Sequence, residues 1–211
     1  GAKRFLFLSS VKAIGEETEI DCPFTTQTVC EPQDLYGISK LEAENRLWSI
    51  HKRGLIEVCV VRSPLVYGAG VKANFRKLCS LVMSGVPIPV LGVHNKRSLI
   101  NVKNLSDVLL LAVSHPAAAG ELFLVADNED LSITSLVSRI AFLSGRKPRF
   151  FWLPLGCIEK CLGLLGKDGP VRRLRRSLQV DSSRIQEKLN WRPTVTVEEG
   201  LRQAIDAIRK E

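Results

Sequence analysis

Two apolar runs constrain this chain more than any other feature. "FLFL" at 5–8 and "LIEVCVVRSPLVYG" at 55–68 are rich in large and β-branched residues and carry almost no polar alternation. Runs of that kind read as strands buried on both faces, which belong in the interior of a parallel sheet. Between them, "YGISKLEAENRLWSIHKRG" at 36–54 is built of strong helix formers and closes on Gly54, a natural stop. Strand, helix, strand in this order is the βαβ unit of a parallel α/β sheet, with the helix as the crossover.

The rest of the chain extends the pattern. Residues 73–84 read as a helix ended by Gly85, "VPIPVLG" as a short extended piece and 104–115 as an apolar helix. "ELFLVAD" at 121–127 reads as a third buried strand. Leu136, Val137, Ile140 and Ala141 make one face of a helix closed by Gly145, and Leu201, Ala204, Ile205 and Ile208 line one face of a last helix over 197–210. The stretch 151–166 is interrupted by Pro154 and by Glu159-Lys160, and is too short for a membrane span, so it reads as a lobe helix. Three strands are fewer than a doubly wound sheet generally has, and no G-x-G-x-x-G occurs to hold a dinucleotide phosphate.

Charge narrows the partners. Thirty Lys and Arg against 22 Asp and Glu give +8, which favours an anionic ligand, and the densest basic run is "VRRLRR" at 171–176. The three Trp and two Tyr are not interleaved with that run, and no nucleic-acid-binding signature is present, so nucleic acid is not the expected partner. The six cysteines show no C-x-x-C pair and no zinc spacing. They read as reduced thiols of a cytoplasmic protein that holds no metal. The first apolar run is too short to be a signal peptide.

The sharpest chemical motif is Tyr36-x-x-x-Lys40. Four residues apart on a helix, the phenol and the ammonium share one face. A cation within a few ångströms favours a phenolate, which makes such a tyrosine a usable acid and base. Ser9 and Ser10 end the preceding strand, where parallel sheets collect their ligands. The structural alternative for these serines is hydroxyls that bond the turn backbone, a common use at strand ends. For Tyr36 and Lys40 the alternative is an exposed helical pair.

Four segments, "FLFLSSVKAIGE", "YGISKLEAE", "VVRSPLVYGAG" and "RSLINVKNLSDVLLLA", in this order, resemble the NAD-dependent epimerase/dehydratase family of extended short-chain dehydrogenases/reductases. The resemblance covers nearly the whole chain. It implies the C-terminal portion of a Rossmann-like doubly wound parallel sheet, over 1–72 and 101–130, plus a small C-terminal nucleotide-sugar lobe over 73–100 and 131–211. It also implies that a Gly-rich phosphate turn lies upstream of the first strand, and hence that these 211 residues alone do not turn over substrate.

The same resemblance assigns roles. Ser10 corresponds to the residue that holds the sugar hydroxyl, Tyr36 to the acid and base, and Lys40 to the lysine on the nicotinamide ribose. Ser9, Pro64, Leu65 and Val66 fall where the family meets NAD. Asn74 and Phe75 match a pair on the sugar nucleotide, Pro89 and Leu91 lie where uracil does, and Arg97 matches an arginine on the diphosphate. A second diphosphate arginine comes from Arg172, Arg173, Arg175 or Arg176, with Arg172 as the first candidate. Asn74 reads equally well as a helix cap. A homodimer is in keeping with the family.

Family members that dehydrate carry an Asp-Glu pair directly after the serine or threonine, and this chain has Val11-Lys12 there. That leaves a UDP-hexose or UDP-N-acetylhexosamine 4-epimerase working through a 4-keto sugar, of the kind used in surface polysaccharide synthesis. Leu65, where many epimerases have Asn, keeps a 4-ketoreductase as the alternative. A UDP-sugar-binding fragment without activity is the reading from outside the enzyme class.

Overall fold

The computed structural model describes residues 1–72, 74–90, 92–154, 156, 159, 164, 172 and 175–210. Most of the expected helix at 151–166 lies outside these residues, as do Leu91 and Arg173.

The βαβ unit is present. β1 (Arg4–Ser10) pairs in parallel with β2 (Glu57–Ser63), and α1 (Leu35–Lys52) is the crossover between them. β5 (Leu122–Leu124) pairs in parallel on the other side of β2, giving the order β1-β2-β5. β2 is therefore the interior strand, and Val58, Cys59, Val60 and Val61 are all inaccessible to solvent. β1 forms the other side of that pairing. Among the described residues it pairs only with β2, and Phe5 and Leu8 remain 45% and 38% exposed.

The segment 55–68 is two strands rather than one. Pro64 has no N–H to donate, so the ladder breaks there and the chain passes into β3 (Leu65–Tyr67). β3 pairs in parallel with β4 (Leu99–Asn101), a three-residue strand too short to register as a pattern.

The helices follow the sequence closely: α2 (Asn74–Met83), α3 (Val102–Ser114), α4 (Ile133–Leu143), α5 (Ser183–Leu189) and α6 (Val197–Lys210). Side chains close the N-termini of α1, α3 and α4, whereas Ser182 before α5 makes no such bond. Asp34 accepts from the Gly37 N–H at 2.7 Å, Asn101 from Lys103 at 2.9 Å and Ser132 from Ser135 at 2.9 Å. Gly54, Gly85 and Gly145 follow α1, α2 and α4 with φ of 71°, 78° and 70°, the left-handed conformation that stops a helix.

Three apolar clusters organise the core, the smallest of them around Val11, Ile14, Leu124 and Val180; the other two are larger. One joins α2, α4 and α6 through Phe75, Cys79, Ile140, Leu201 and Ile205. The other lies on the β1-β2-β5 sheet around Cys59, Phe123 and Val108, and it includes Ile185, Leu189 and Trp191. Residues 185–191, placed by sequence in the lobe, thus pack on the sheet, because the apolar side of α5 finds its cover there. Cys22, Cys30, Cys59 and Cys79 are free thiols, and burial pushes Cys59 up to about 11 and Cys79 up to about 12. No helix among the described residues is long and apolar enough to cross a membrane.

Candidate active site

The carboxyl end of β1 and the N-terminus of α1 meet over the single 3-10 turn Val11–Ala13. Their closeness depends on Gly37. A Cβ there would stand 2.3 Å from the Lys12 carbonyl oxygen and 3.0 Å from Pro32 Cβ, so only glycine admits the helix. Gly37→Ala would raise helix propensity by about 1 kcal/mol in an exposed helix. Here it is expected to destabilise by about 1–3 kcal/mol, because the backbone of the turn cannot yield as a flexible side chain could. A urea melt of the variant checks the sign.

Lys12 reinforces the junction. Its ammonium bonds the Asp34 carboxylate and also Glu16 Oε1 at 2.8 Å. Burial by itself would raise Asp34, but the hydrogen bonds from Lys12 and the Gly37 N–H outweigh it and hold the carboxyl at about 2. The folded value lies below the unfolded one, so Asp34 contributes stability above about pH 4, lost as pH falls through about 2. The stability gap between the protein and Asp34→Asn is expected to be constant above about pH 4 and to close near pH 2, as denaturant melts across that range would show.

On the face of α1 turned to the strand end, Tyr36 is 51% exposed. Lys40 Nζ lies 5.7 Å from the centroid of the Tyr36 ring and 4.9 Å from that of Phe7. It donates to the Leu8 carbonyl at 3.1 Å, which fixes the ammonium beside both the phenol and the end of β1. Ser10 follows two residues later and is half-buried, with its Oγ accepting from the Lys12 N–H at 3.3 Å as the cap of the 3-10 turn. The structure therefore gathers Ser10, Tyr36 and Lys40 around one strand terminus. Ser10 also takes the structural role open to it.

Ser9 differs from its expectation. It is 2% exposed, and its hydroxyl donates to Glu44 Oε1 inside the protein. Glu44, itself 1% exposed, also receives Arg62 Nε at 3.1 Å and Nη2 at 2.6 Å. Arg62 Nη2 in turn donates to Cys30 Sγ at 3.3 Å. Burial alone would lower the Arg62 guanidinium, yet the bonds to Glu44 push it above its ordinary value. The sequence alone did not point to Glu44, Arg62 or Gly37. Glu44 stands four residues after Lys40, a spacing that places it on the same face, but its burial becomes visible only once the strands are paired.

Along the second strand terminus, Pro64 is buried, Val66 half-buried and Leu65 41% exposed, so Leu65 is the apolar side chain presented there. Asn74 opens α2. Phe75, expected on the sugar nucleotide, is 2% exposed and stacks at 5.6 Å on Tyr67 within the core, where its apolar ring is covered on all sides. Pro89 is half-buried, and Leu91 lies outside the described residues. The basic positions converge: Arg97 Nη1 donates to the Arg176 carbonyl at 3.0 Å. Arg172 pairs with Glu17 at 3.2 Å and reaches Gln33 at 3.3 Å, and Arg176 pairs with Glu159 at 3.3 Å. Glu159 is also bonded by Arg175, and although burial alone would raise its carboxyl, the two guanidiniums hold it below the ordinary range.

Comparison with known proteins bears on the family and the fold. A family model described as the NAD dependent epimerase/dehydratase family matches residues 1–126. Over 208 residues the chain is 41% identical to a UDP-glucose 4-epimerase of Vibrio cholerae, covering 98% of this chain and 63% of that protein. Among solved structures, a UDP-glucose 4-epimerase of Thermotoga maritima in complex with UDP-glucose superimposes with a TM-score of 0.77 at 22% identity, covering 100% of this chain and 64% of that one. A UDP-glucuronic acid 4-epimerase of Bacillus cereus in complex with UDP-glucuronic acid and NAD gives 0.78 at 20% identity, covering 98% and 62%. These structures share the Rossmann-like fold. The chain spans about 63% of the length of the curated relative first named.

Proposed function

The chain belongs to the NAD dependent epimerase/dehydratase family, and on that premise we propose that it supplies the proton-transfer site and the sugar side of a UDP-hexose or UDP-N-acetylhexosamine 4-epimerase. One observation carries the reading: Lys40 is held by the Leu8 carbonyl beside an exposed Tyr36, at the strand end that Ser10 terminates.

The residues present suit NAD by their chemistry. An ammonium with further donors beside a phenol fits ribose and substrate hydroxyls, and exposed Leu65 at the neighbouring strand end fits a flat ring. NAD, when bound, supplies the oxidation of the sugar C4 carbon and its later re-reduction. Tyr36 Oη, as phenolate, takes the proton from the C4 hydroxyl and returns it when the alcohol re-forms. Lys40 stands beside that ring, held by the Leu8 carbonyl, and offers its remaining donors to ribose hydroxyls. Ser10 Oγ bonds the same oxygen and orients it. Arg97 and Arg172 hold the diphosphate, with guanidiniums whose forked donors match phosphate oxygens.

Elimination is disfavoured at the positions where it would need acids. Val11 is 3% exposed, and Lys12 is engaged by Glu16 and Asp34. A 4-ketoreductase is the second reading, favoured by Leu65, whose side chain offers no hydrogen bond to a turning sugar. The test follows UDP-glucose or UDP-N-acetylglucosamine with NAD and the protein as encoded by its gene, by proton NMR. Appearance of the 4-epimer without net reduction of NAD supports the epimerase. Consumption of NADH only with a 4-keto sugar nucleotide supports the reductase. The 211 residues by themselves are expected to give neither reaction.

A further inference from the structure

Two residues of α1 are fully buried, Gly37 and Glu44, and neither contributes an apolar side chain to the seat of the helix. Leu35 is 86% exposed and Ile38 40% exposed, and Leu41, Leu47 and Trp48 are only half-buried. No continuous apolar stripe fixes where this helix lies along the sheet. Beside these half-buried side chains, one steric and one polar contact have fixed geometry. Gly37 rests against the Lys12 carbonyl three residues before Lys40, and Glu44 bonds Ser9 and Arg62 four residues after it. Ser9 and Arg62 are themselves register partners across β1 and β2, so one carboxylate reaches both strands at a single rung of the ladder.

We propose that Ser9, Glu44 and Arg62 form a positioning clamp that sets the register of α1 against β1 and β2, and with it the placement of Tyr36 and Lys40 relative to Ser10. The inference rests on the 4-epimerase reading above. Its physical basis is the contrast between two kinds of contact. Apolar packing is non-directional and tolerates sliding, whereas a hydrogen bond weakens steeply with distance and angle. The two contact points are about 10 Å apart along the helix axis, at 1.5 Å per residue, and Lys40 stands between them. A buried ion pair is a weak source of net stability compared with apolar residues of the same volume. It is a strong source of geometry. Ser9 and Glu44 touch no reacting atom in the proposed step, so they act through Lys40 and Tyr36.

The test uses the protein as encoded by its gene and two variants. Ser9→Ala removes one hydroxyl, and Glu44→Leu combined with Arg62→Met replaces both charges with apolar volume. Ser9→Ala is expected to lower kcat about tenfold and the double variant about 10²-fold, the scale of a 1 Å misplacement, with KM for the UDP-sugar changed less than twofold. The melting temperature of the double variant is expected to stay within a few degrees, while peptides spanning 35–52 exchange their amide hydrogens faster. Unchanged kcat in a folded double variant, or a rise in KM with kcat intact, would overturn the clamp. Should the double variant not fold, the Ser9→Ala kinetics decide. A parent protein that does not interconvert 4-epimers refutes the 4-epimerase reading separately, and the exchange rates of α1 still report whether the clamp holds the helix.

Discussion

For the 4-epimerase proposed above, assayed as the protein encoded by its gene, replacing Tyr36 with phenylalanine is expected to lower turnover by about 10³-fold while leaving the melting temperature and UDP-sugar affinity unchanged, the scale of loss when a positioned acid and base is removed. The expectation follows from what the substitution preserves. The Tyr36 ring is 51% exposed and lies 5.7 Å from Lys40 Nζ, a contact that phenylalanine retains. Lys40 keeps its bond to the Leu8 carbonyl, and the helix keeps its Asp34 cap. Only the oxygen proposed to accept the sugar proton is lost. Turnover above about a tenth of the parent value would place the proton acceptor elsewhere, since general acid and base groups contribute at least about 10²-fold. Steady-state kinetics together with calorimetric binding of UDP separate the two outcomes.

The largest expected effect on stability is at Asp127. Its carboxylate is 8% exposed and sits where the two sheets join. It accepts from Tyr67 Oη at 2.7 Å, the Asn101 N–H at 2.9 Å and Asn104 Nδ2 at 2.8 Å. Asn104 in turn receives the Val195 N–H at 2.9 Å through its Oδ1, so the chain leading into α6 is tied to the same centre. Burial raises the Asp127 carboxyl above its usual range against the pull of these bonds, and burial with the Asp127 charge drives the Tyr67 phenol well up. Asp127→Ala leaves three buried donors without this acceptor, at about 1–3 kcal/mol each if nothing replaces it. A total loss of about 3–5 kcal/mol, or a drop of roughly 10 °C in Tm for a chain of this size, is expected in thermal melts. Tyr67→Phe, which removes one donor together with its partner bond, is expected to cost only about 1 kcal/mol. Equal losses in the two variants would show that Asp127 is not the shared centre.

Much of the candidate site is legible in the order of residues. Tyr36-x-x-x-Lys40 announces a shared helical face by spacing alone, and "SS" at the end of an apolar run marks a strand terminus. Helices and their stops are readable because Gly54, Gly85 and Gly145 act locally. What local pattern does not carry is non-local. Phe75 looks like a ligand-facing aromatic, yet it lies in a core cluster that includes residues of α4 and α6, more than fifty residues away. Ser9 and Ser10 are chemically identical neighbours, and only the pleat sends one inward to Glu44 and leaves the other at the turn.

The chain by its order of residues determines a parallel βαβ unit, because buried β-branched runs separated by a helix of that length have few other ways to bury their apolar surface. It likewise determines which phenol and ammonium stand together, since a helix repeats every 3.6 residues whatever surrounds it. Tertiary structure alone decided that β2 lies between β1 and β5, that Pro64 hands the chain from one sheet to another, and that a buried Glu44 joins Ser9 to Arg62. The reason is that each of these depends on which partner fills a given side of a strand or helix. That choice is made by packing between residues far apart in sequence, where local pattern carries no information.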